Sequence, residues 1–588
     1  MKNSAKLRVV LSLFGVAFLL GLALRTDSRF VNPARKYVPH PKGTLTFNKD
    51  IAPIVFKQCA SCHRPGQSAP FNLMSYADVK KRAQQIGEVT AKGVMPPWLP
   101  EPGYGDFADA RLLSGQEIGA IAQWIREGAT EGEAKELPEL PKWVEGWRLG
   151  EPDLMVKMGE PYTLKAEGKD VYRNFVIPIP LEASRYVKAV EFQPGNSKIV
   201  HHAFIRFDRT PESRQLDEKD SEPGFGGIHT PENAFSPDGY FLSWQPGKVP
   251  SRGIEGLAWR LEKGSDLVLQ MHMQPAGKPE MIQPAIAFHF AEKPPTNTPF
   301  KIGLSSYAID IPAGKKDYII QDSYLLPVDV QILGILPHAH YLGKELRGYA
   351  TLPDGTKKWL LLIKRWDFNW QGDYHYINPV FLPRGTRLTM EFSYDNSDAN
   401  ERNPSRPPKR VRYGLQSTDE MGELWFQVLP RHTNDLKTLT ASYQYKIVED
   451  VMAYNNYLLQ QDRNDFKAHN KIAKALLTLG KTAEALQHLH TAAAIVITDP
   501  ETHYLLGIIY RQQNKLLAAK GEFENVLRLD PNHYKAHGNL GLVLLGHGDL
   551  AQAEVHFKQA LRLNPDDMVA KESLDDIAKA KAGSGKQP

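Results

Sequence analysis

The sequence predicts a multidomain chain: a small all-α unit, then two all-β sandwiches, then a C-terminal α-helical solenoid. Three observations predict it. A chain of 588 residues is longer than one hydrophobic core can organise. From about Trp147 to Ser442, short runs rich in Val, Ile, Phe and Tyr alternate with turn signals such as Pro194-Gly195-Asn196, Pro237-Asp238-Gly239 and Pro353-Asp354-Gly355, the texture of paired strands. Beyond them small residues return at a fixed step of 34: Ala473, Gly507 and Gly541; Ala485, Ala519 and Ala553; Ala492, Val526 and Ala560. A period of that length marks stacked helix pairs, with small side chains where neighbouring helices approach closely.

In chain order, Lys2, Lys6 and Arg8 precede a mostly apolar stretch over residues 9–24. Residues 1–25 therefore read as a signal peptide or an uncleaved membrane anchor. The protein is expected to be exported, either periplasmic or membrane-anchored and facing the periplasm. Residues 26–43 are polar and contain proline, and read as a tether. A helical unit is expected over 44–132; Ile51, Ile54 and Val55 recur at helical spacing, and Ser114 with Glu117 forms a capping signature ahead of the stripe Ile118, Ile121, Ala122 and Ile125. A charged, Pro-rich linker follows over 133–146. The β-sandwiches are expected over 147–295 and 296–445, divided near the KPPTNTP stretch, and the helical repeats over 446–581. A Gly/Ser/Lys tail over 582–588 is expected to be disordered.

Composition narrows the function. Apolar residues make up 42% and charged residues 24%, and the net charge is +5 with no dense Lys/Arg run, so no nucleic-acid partner is expected. The chain has two cysteines, and both fall in one motif, Cys59-Ala60-Ser61-Cys62-His63. Two thiols at this spacing can bond the two vinyl groups of one haem, and the adjoining His63 can reach its iron. A methionine as the distal ligand would raise the reduction potential; Met95 in GVMPPW is preferred over Met74. Over residues 44–132 the chain resembles the class I c-type cytochromes, which implies a covalent haem c and one-electron transfer.

A second constellation lies in the β regions: the pair His201-His202, the single His272, the alternating His338 and His340, and Met421. Five imidazoles and a thioether favour copper moving between its two oxidation states. His338 and His340 alternate on a strand and project to one face. His201 and His202 would point to opposite faces, so both can serve one metal only if the strand bulges there. The ordered motifs HHAFIRF, LVLQMHM, HAH and DEMGELW resemble the copper type II, ascorbate-dependent monooxygenases, the family of peptidylglycine alpha-hydroxylating and dopamine beta-monooxygenases, over about residues 147–445. The resemblance implies two jelly-roll sandwiches, each carrying one copper across an open, solvated cleft. It implies His201, His202 and His272 as ligands of a first copper that receives and relays electrons. His338, His340 and Met421 are implied as catalytic ligands of a second copper, where oxygen binds and a substrate C–H bond is attacked. Gln270 matches a glutamine near the first site.

The peptide-processing members carry an arginine and a tyrosine where this chain has Leu336 and Trp425, so an uncharged or aromatic small-molecule substrate is expected. The expected activity is a copper-dependent monooxygenation using O2, with electrons relayed from the haem after delivery by a donor protein or reductant. The alternative is a non-catalytic haem/copper electron-transfer or copper-handling scaffold. The C-terminal period is the tetratricopeptide signature, with three repeats flanked by helical caps, and implies a docked protein partner. The eight histidines from His469 onward are expected on solvated helix faces with no shared ligand spacing.

Overall fold

The computed structural model describes residues 37–584, apart from 228, 229, 232 and 415. The signal or anchor segment and most of the tether lie outside the described residues, as do positions 585–588. Among the described residues no helix is long and apolar enough to cross a membrane. The described residues divide into two compact units: one takes those up to Ala60, Leu73–Pro97 and Arg111–Pro141, the other Ser61–Asn72, Trp98–Ala110 and the described residues from Lys142.

The first unit is helical: a π-turn Phe47–Ile51 leads into Ala52–Gln58, followed by Tyr76–Lys81, Ala83–Ala91 and Gly115–Arg126. The last helix starts as its sequence requires, with the Ser114 hydroxyl accepting from the Glu117 N–H and the Glu117 carboxylate accepting from the Ser114 N–H, a reciprocal cap that satisfies two otherwise orphaned donors. Its buried face is rotated from the expected stripe toward Gln123 and Trp124. Segment 37–43, expected as a tether, packs on this helix at Gln123, while Trp124 packs on Phe47 and its indole N–H donates to the Thr130 carbonyl. The Tyr37 hydroxyl and His40 N–H both donate to Gln123 Oε1 (2.5 and 3.1 Å), and the Gly43 N–H donates to Glu127.

The single helical unit expected over 44–132 is interrupted: residues 61–72 and 98–110 belong with the larger unit. For the second stretch the reason is aromatic. Phe107 forms a bridge with Tyr376, the Trp98 ring meets Tyr374 edge-on at 5.2 Å, and the Glu101 N–H donates to the Leu362 carbonyl.

The larger unit holds two β regions, each with its own core. The first pairs a five-stranded sheet, in the order Phe225–Gly226, Val171–Pro178, Asp266–Met273, Val200–Asp208, Ser243–Trp244, with the four-stranded sheet Leu154–Lys157, Ala285–Phe290, Arg185–Gln193, Trp259–Leu261. Both sheets feed one apolar cluster that includes Phe175, Ile205, Leu269, Ile286 and Phe288. Asp266–Met273 sits at the centre of its sheet and is buried along its whole length, which is why it reads as a near-continuous apolar run. The second region also has two four-stranded sheets, Phe300–Ser305, Gly422–Pro430, Val330–Ala339, Tyr374–Leu382 and Tyr318–Leu325, Arg387–Tyr394, Gly343–Thr351, Lys357–Ile363, over a separate core with Ile335, Phe392 and Phe426.

The helical region begins earlier than residue 446. A 27-residue helix, Asp435–Gln461, docks on the second β region: the Tyr324 hydroxyl donates to Ser442, and Lys446 reaches Asp322 at 2.8 Å. Three helix pairs and a final helix, Met568–Ser584, follow. Ala485, Ala519 and Ala553 are fully buried, and a Cβ at Gly507 or Gly541 would stand 2.7 Å from the rings of Phe523 and Phe557, so the period does place small residues at close approaches. The histidines correct the expectation of scattered, solvated positions. His469, His503 and His537 are one repeat apart, and each Nδ1 faces a group 19 residues on: His488 Nδ1 (2.9 Å), Glu522 (2.6 Å) and His556 Nδ1 (3.0 Å). These pairs tie the two helices of each repeat together.

Candidate metal centre

The strand Val200–Asp208 alternates inward Ala203, Ile205 and Phe207 with residues on the opposite face. Its ladder with Asp266–Met273 pairs Val200 with Met273 and His202 with His272, leaving His201 as the extra residue of a bulge. The bulge turns two adjacent imidazoles to one side, as shared ligation requires. His201 Nδ1 and His202 Nδ1 lie 3.0 Å apart, and ligand atoms of His201, His202 and His272 all fall within 4.8 Å of one another. Two nitrogens each about 2.0 Å from one ion stand roughly 3 Å apart at a near-right angle.

His272 is oriented from behind. Its Nε2 lies 2.8 Å from Asp170 Oδ2, and the Tyr172 ring stacks on it at 4.2 Å with 9° between planes. With Nε2–H donating to the carboxylate, Nδ1 carries the lone pair, and that atom is buried without a hydrogen-bond partner among the described residues. A ligand imidazole whose other nitrogen donates to a carboxylate is the usual arrangement at a metal. Burial, then the nearby His272, pushes His201 down to about 4, and burial takes His202 well below its ordinary value. Both are neutral at neutral pH, the ligating form. The hydrogen bond from His272 leads in holding Asp170 below the usual carboxylate range. Gln270, on the same strand face two residues before His272, donates to Asn174 Oδ1 at 3.2 Å in a buried amide pair.

The second group is built on a strand end. The ladder between Val330–Ala339 and Gly422–Pro430 pairs His338 with Glu423 and Ala339 with Gly422, which places Met421 and His340 at the next position. One carboxylate holds this end together. Glu420, fully buried, accepts the N–H groups of His340 (2.5 Å), Met421 (2.9 Å) and Leu342 (2.9 Å). Burial pushes Glu420 up to about 8 against the downward pull of those three donors. His340 Nδ1 faces the Asp419 carbonyl at 3.2 Å, His338 Nδ1 faces Gln371 Oε1, and the two rings are 5.2 Å apart. These contacts occupy the Nδ1 atom of each ring. Burial, and then His338, brings His340 to about 3. Met421 is 9% exposed, with its carbonyl accepting from the Tyr394 hydroxyl.

Leu336 and Trp425 are direct ladder partners on the His338 side of the sheet. Trp425 lies over Gly303, where a Cβ would meet its ring at 2.6 Å, and its indole N–H donates to Glu423.

The neutral imidazoles, the orphaned His272 Nδ1 and the buried thioether-bearing residue suit a transition metal of the copper or zinc type. Sequence reasoning missed Asp170, Tyr172, Phe368, Gln371 and Glu420. Only Glu420 carried a signal, as the residue preceding Met421 in DEMGELW; the others meet the histidines through strand register and a turn.

The five-residue cysteine motif straddles the division between the two units. Cys59 caps the helix Ala52–Gln58, donating its N–H to Val55, and belongs with Met95 and Met74 to the first unit. Cys62 and His63 belong to the second. Neither cysteine takes part in a disulfide. His63 Nδ1 faces the Phe71 carbonyl at 3.0 Å, and the two rings lie 4.7 Å apart. The CxxCH spacing, with its imidazole oriented by the Phe71 carbonyl, suits covalent haem attachment.

Comparison with known proteins adds to the repeats alone. Residues 504–567 match the family model of the tetratricopeptide repeat. Similar solved structures include MamA, 20% identical over 24% of this chain and 84% of that one with a TM-score of 0.22. The first TPR of Spaghetti (RPAP3), bound to the HSP90 peptide SRMEEVD, is 19% identical over 21% and 96% with a TM-score of 0.20. Pseudomonas aeruginosa pilF is 22% identical over 24% and 64% with a TM-score of 0.23. No curated protein matches the chain.

Proposed function

We propose that the protein is an exported, copper-dependent monooxygenase that hydroxylates a C–H bond of an uncharged small molecule, with electrons supplied through a covalent haem c. The observation that carries this reading is the gathering of His201, His202 and His272 within 4.8 Å around an orphaned Nδ1, with the HAH and Met421 group in the adjoining β region. His201, His202 and His272 would hold one ion, and His338, His340 and Met421 the other. Bound copper supplies one-electron redox chemistry and oxygen activation. The chain's own residues fix the rest. Asp170 sets the His272 tautomer, Glu420 fixes the backbone that carries His340 and Met421, and Leu336 with Trp425 offers an apolar wall to substrate. The overall reaction takes R–H, O2, two electrons and two protons to R–OH and water. Cys59 and Cys62 would carry the haem, His63 and Met95 would hold its iron, and the haem would supply one-electron transfer; the jelly-roll and cytochrome assignments belong to this same reading.

The tetratricopeptide repeats would dock a protein partner on their stacked helices. The test compares air reoxidation of the reduced haem with and without copper, then O2 uptake with uncharged and aromatic substrates. Reoxidation that needs copper, with uptake that needs substrate, is expected. Equal reoxidation rates without copper would overturn the relay. Stoichiometric copper with no substrate-dependent uptake would leave the non-catalytic copper scaffold.

A further inference from the structure

One short segment touches both histidine groups. After the strand Lys357–Ile363, the chain passes through Trp366 and Asp367 into the 3-10 turn Phe368–Trp370 and on to Gln371. Phe368, 2% exposed, stacks on His201 at 5.5 Å with 23° between planes and meets His340 edge-on at 5.7 Å. The two imidazoles therefore stand no farther apart than one phenyl ring and its two contacts. The Trp366 indole N–H donates to the His340 carbonyl at 3.1 Å, and Gln371 Oε1 meets His338 Nδ1. Arg402 fastens the segment, donating to the Trp366 carbonyl (2.6 Å) and Asp367 Oδ2 (3.0 Å).

We propose that Trp366–Gln371 is a coupling element, with Phe368 its contact piece, so that metal at either group changes the affinity of the other. This rests on both groups binding copper. A ring wedged between two ligands cannot shift for one without disturbing the other, because packed interiors change in discrete arrangements. Such coupling is reciprocal and typically 5–150-fold in affinity. Phe368 is a positioning residue.

The experiment is a mutant cycle on the full chain, reading copper affinity by chelator competition and Cu(II) ligation by electron paramagnetic resonance. Second-site affinity is measured with the first site intact and with it disabled by His272→Ala, each with Phe368 and with Phe368→Leu, which keeps apolar bulk and the fold. With Phe368 present, disabling the first site should change second-site affinity at least about fivefold and alter its spectrum; with leucine the difference should fall to about twofold or less. An undiminished difference with leucine, or none with phenylalanine, overturns the coupling while leaving the two-copper reading in place. Copper binding at neither group overturns both.

Discussion

The two histidine groups reach similar donor sets by different routes. The first is made inside a sheet: a one-residue bulge turns His201 and His202 to the same side, and a central strand buried on both faces presents His272 to them. The second is made where a ladder runs out, and its backbone is fixed by one buried carboxylate that accepts three backbone N–H groups. Position inside a sheet comes from register. Position at a sheet end needs a clamp, and the clamp is where that site is most vulnerable.

Removing it is the largest way to break the contrast. Glu420→Ala leaves three buried N–H groups without their acceptor at about 1–3 kcal/mol each, so the second β region should lose at least about 3 kcal/mol in denaturant unfolding. Glu420→Gln keeps one acceptor oxygen and should lose markedly less. Equal losses would show that the clamp does not act through its acceptors.

Next is the ion pair that joins the regions. Lys248 Nζ lies 2.5 Å from Asp373 Oδ1, which is 1% exposed and also meets His375 Nε2 at 2.9 Å. Burial alone would raise Asp373, but the Lys248 charge and the His375 hydrogen bond outweigh it and hold the acid well below its usual range. Lys248→Met should cost about 3 kcal/mol at neutral pH. A depressed carboxylate contributes stability above its unfolded value near 3.8 and loses it as pH falls further. The gap between variant and wild type should therefore narrow progressively as pH falls below about 3.8, and a constant gap across that range would refute the assignment.

At the first group, Asp170→Asn should weaken metal binding about 10–100-fold while leaving second-group ligation unchanged apart from coupling. Isothermal titration with copper measures it, and an unchanged affinity would remove Asp170 from the site. The smallest effect lies in the repeats: Gly541→Ala presses a methyl toward the Phe557 ring and should cost about 1–2 kcal/mol by overpacking, with metal content unaffected.

How much of this was legible follows from the same contrast. The need for a bulge at His201-His202 could be argued from the alternation of a strand alone, and HAH announced a shared face. The 34-residue step gave the solenoid, because small residues must recur wherever helices touch. Asp170 reaches His272 across 102 positions, and Phe368 reaches His201 from the other β region. Those contacts depend on strand register and on how a turn folds back, which no local pattern encodes. The histidine pairs of the repeats are legible in principle, since His469, His503 and His537 share the period, but only once residues are compared by repeat register rather than one by one.

The most direct test of the two-copper account is the metal content of the full chain after copper reconstitution, measured with the haem spectrum for the wild type, His272→Ala and His338→Ala. The account predicts two coppers and one haem in the wild type and the loss of one copper in each variant, from a different spectroscopic site. Wild-type chains that bind fewer than two coppers, or variants that retain both, would contradict it.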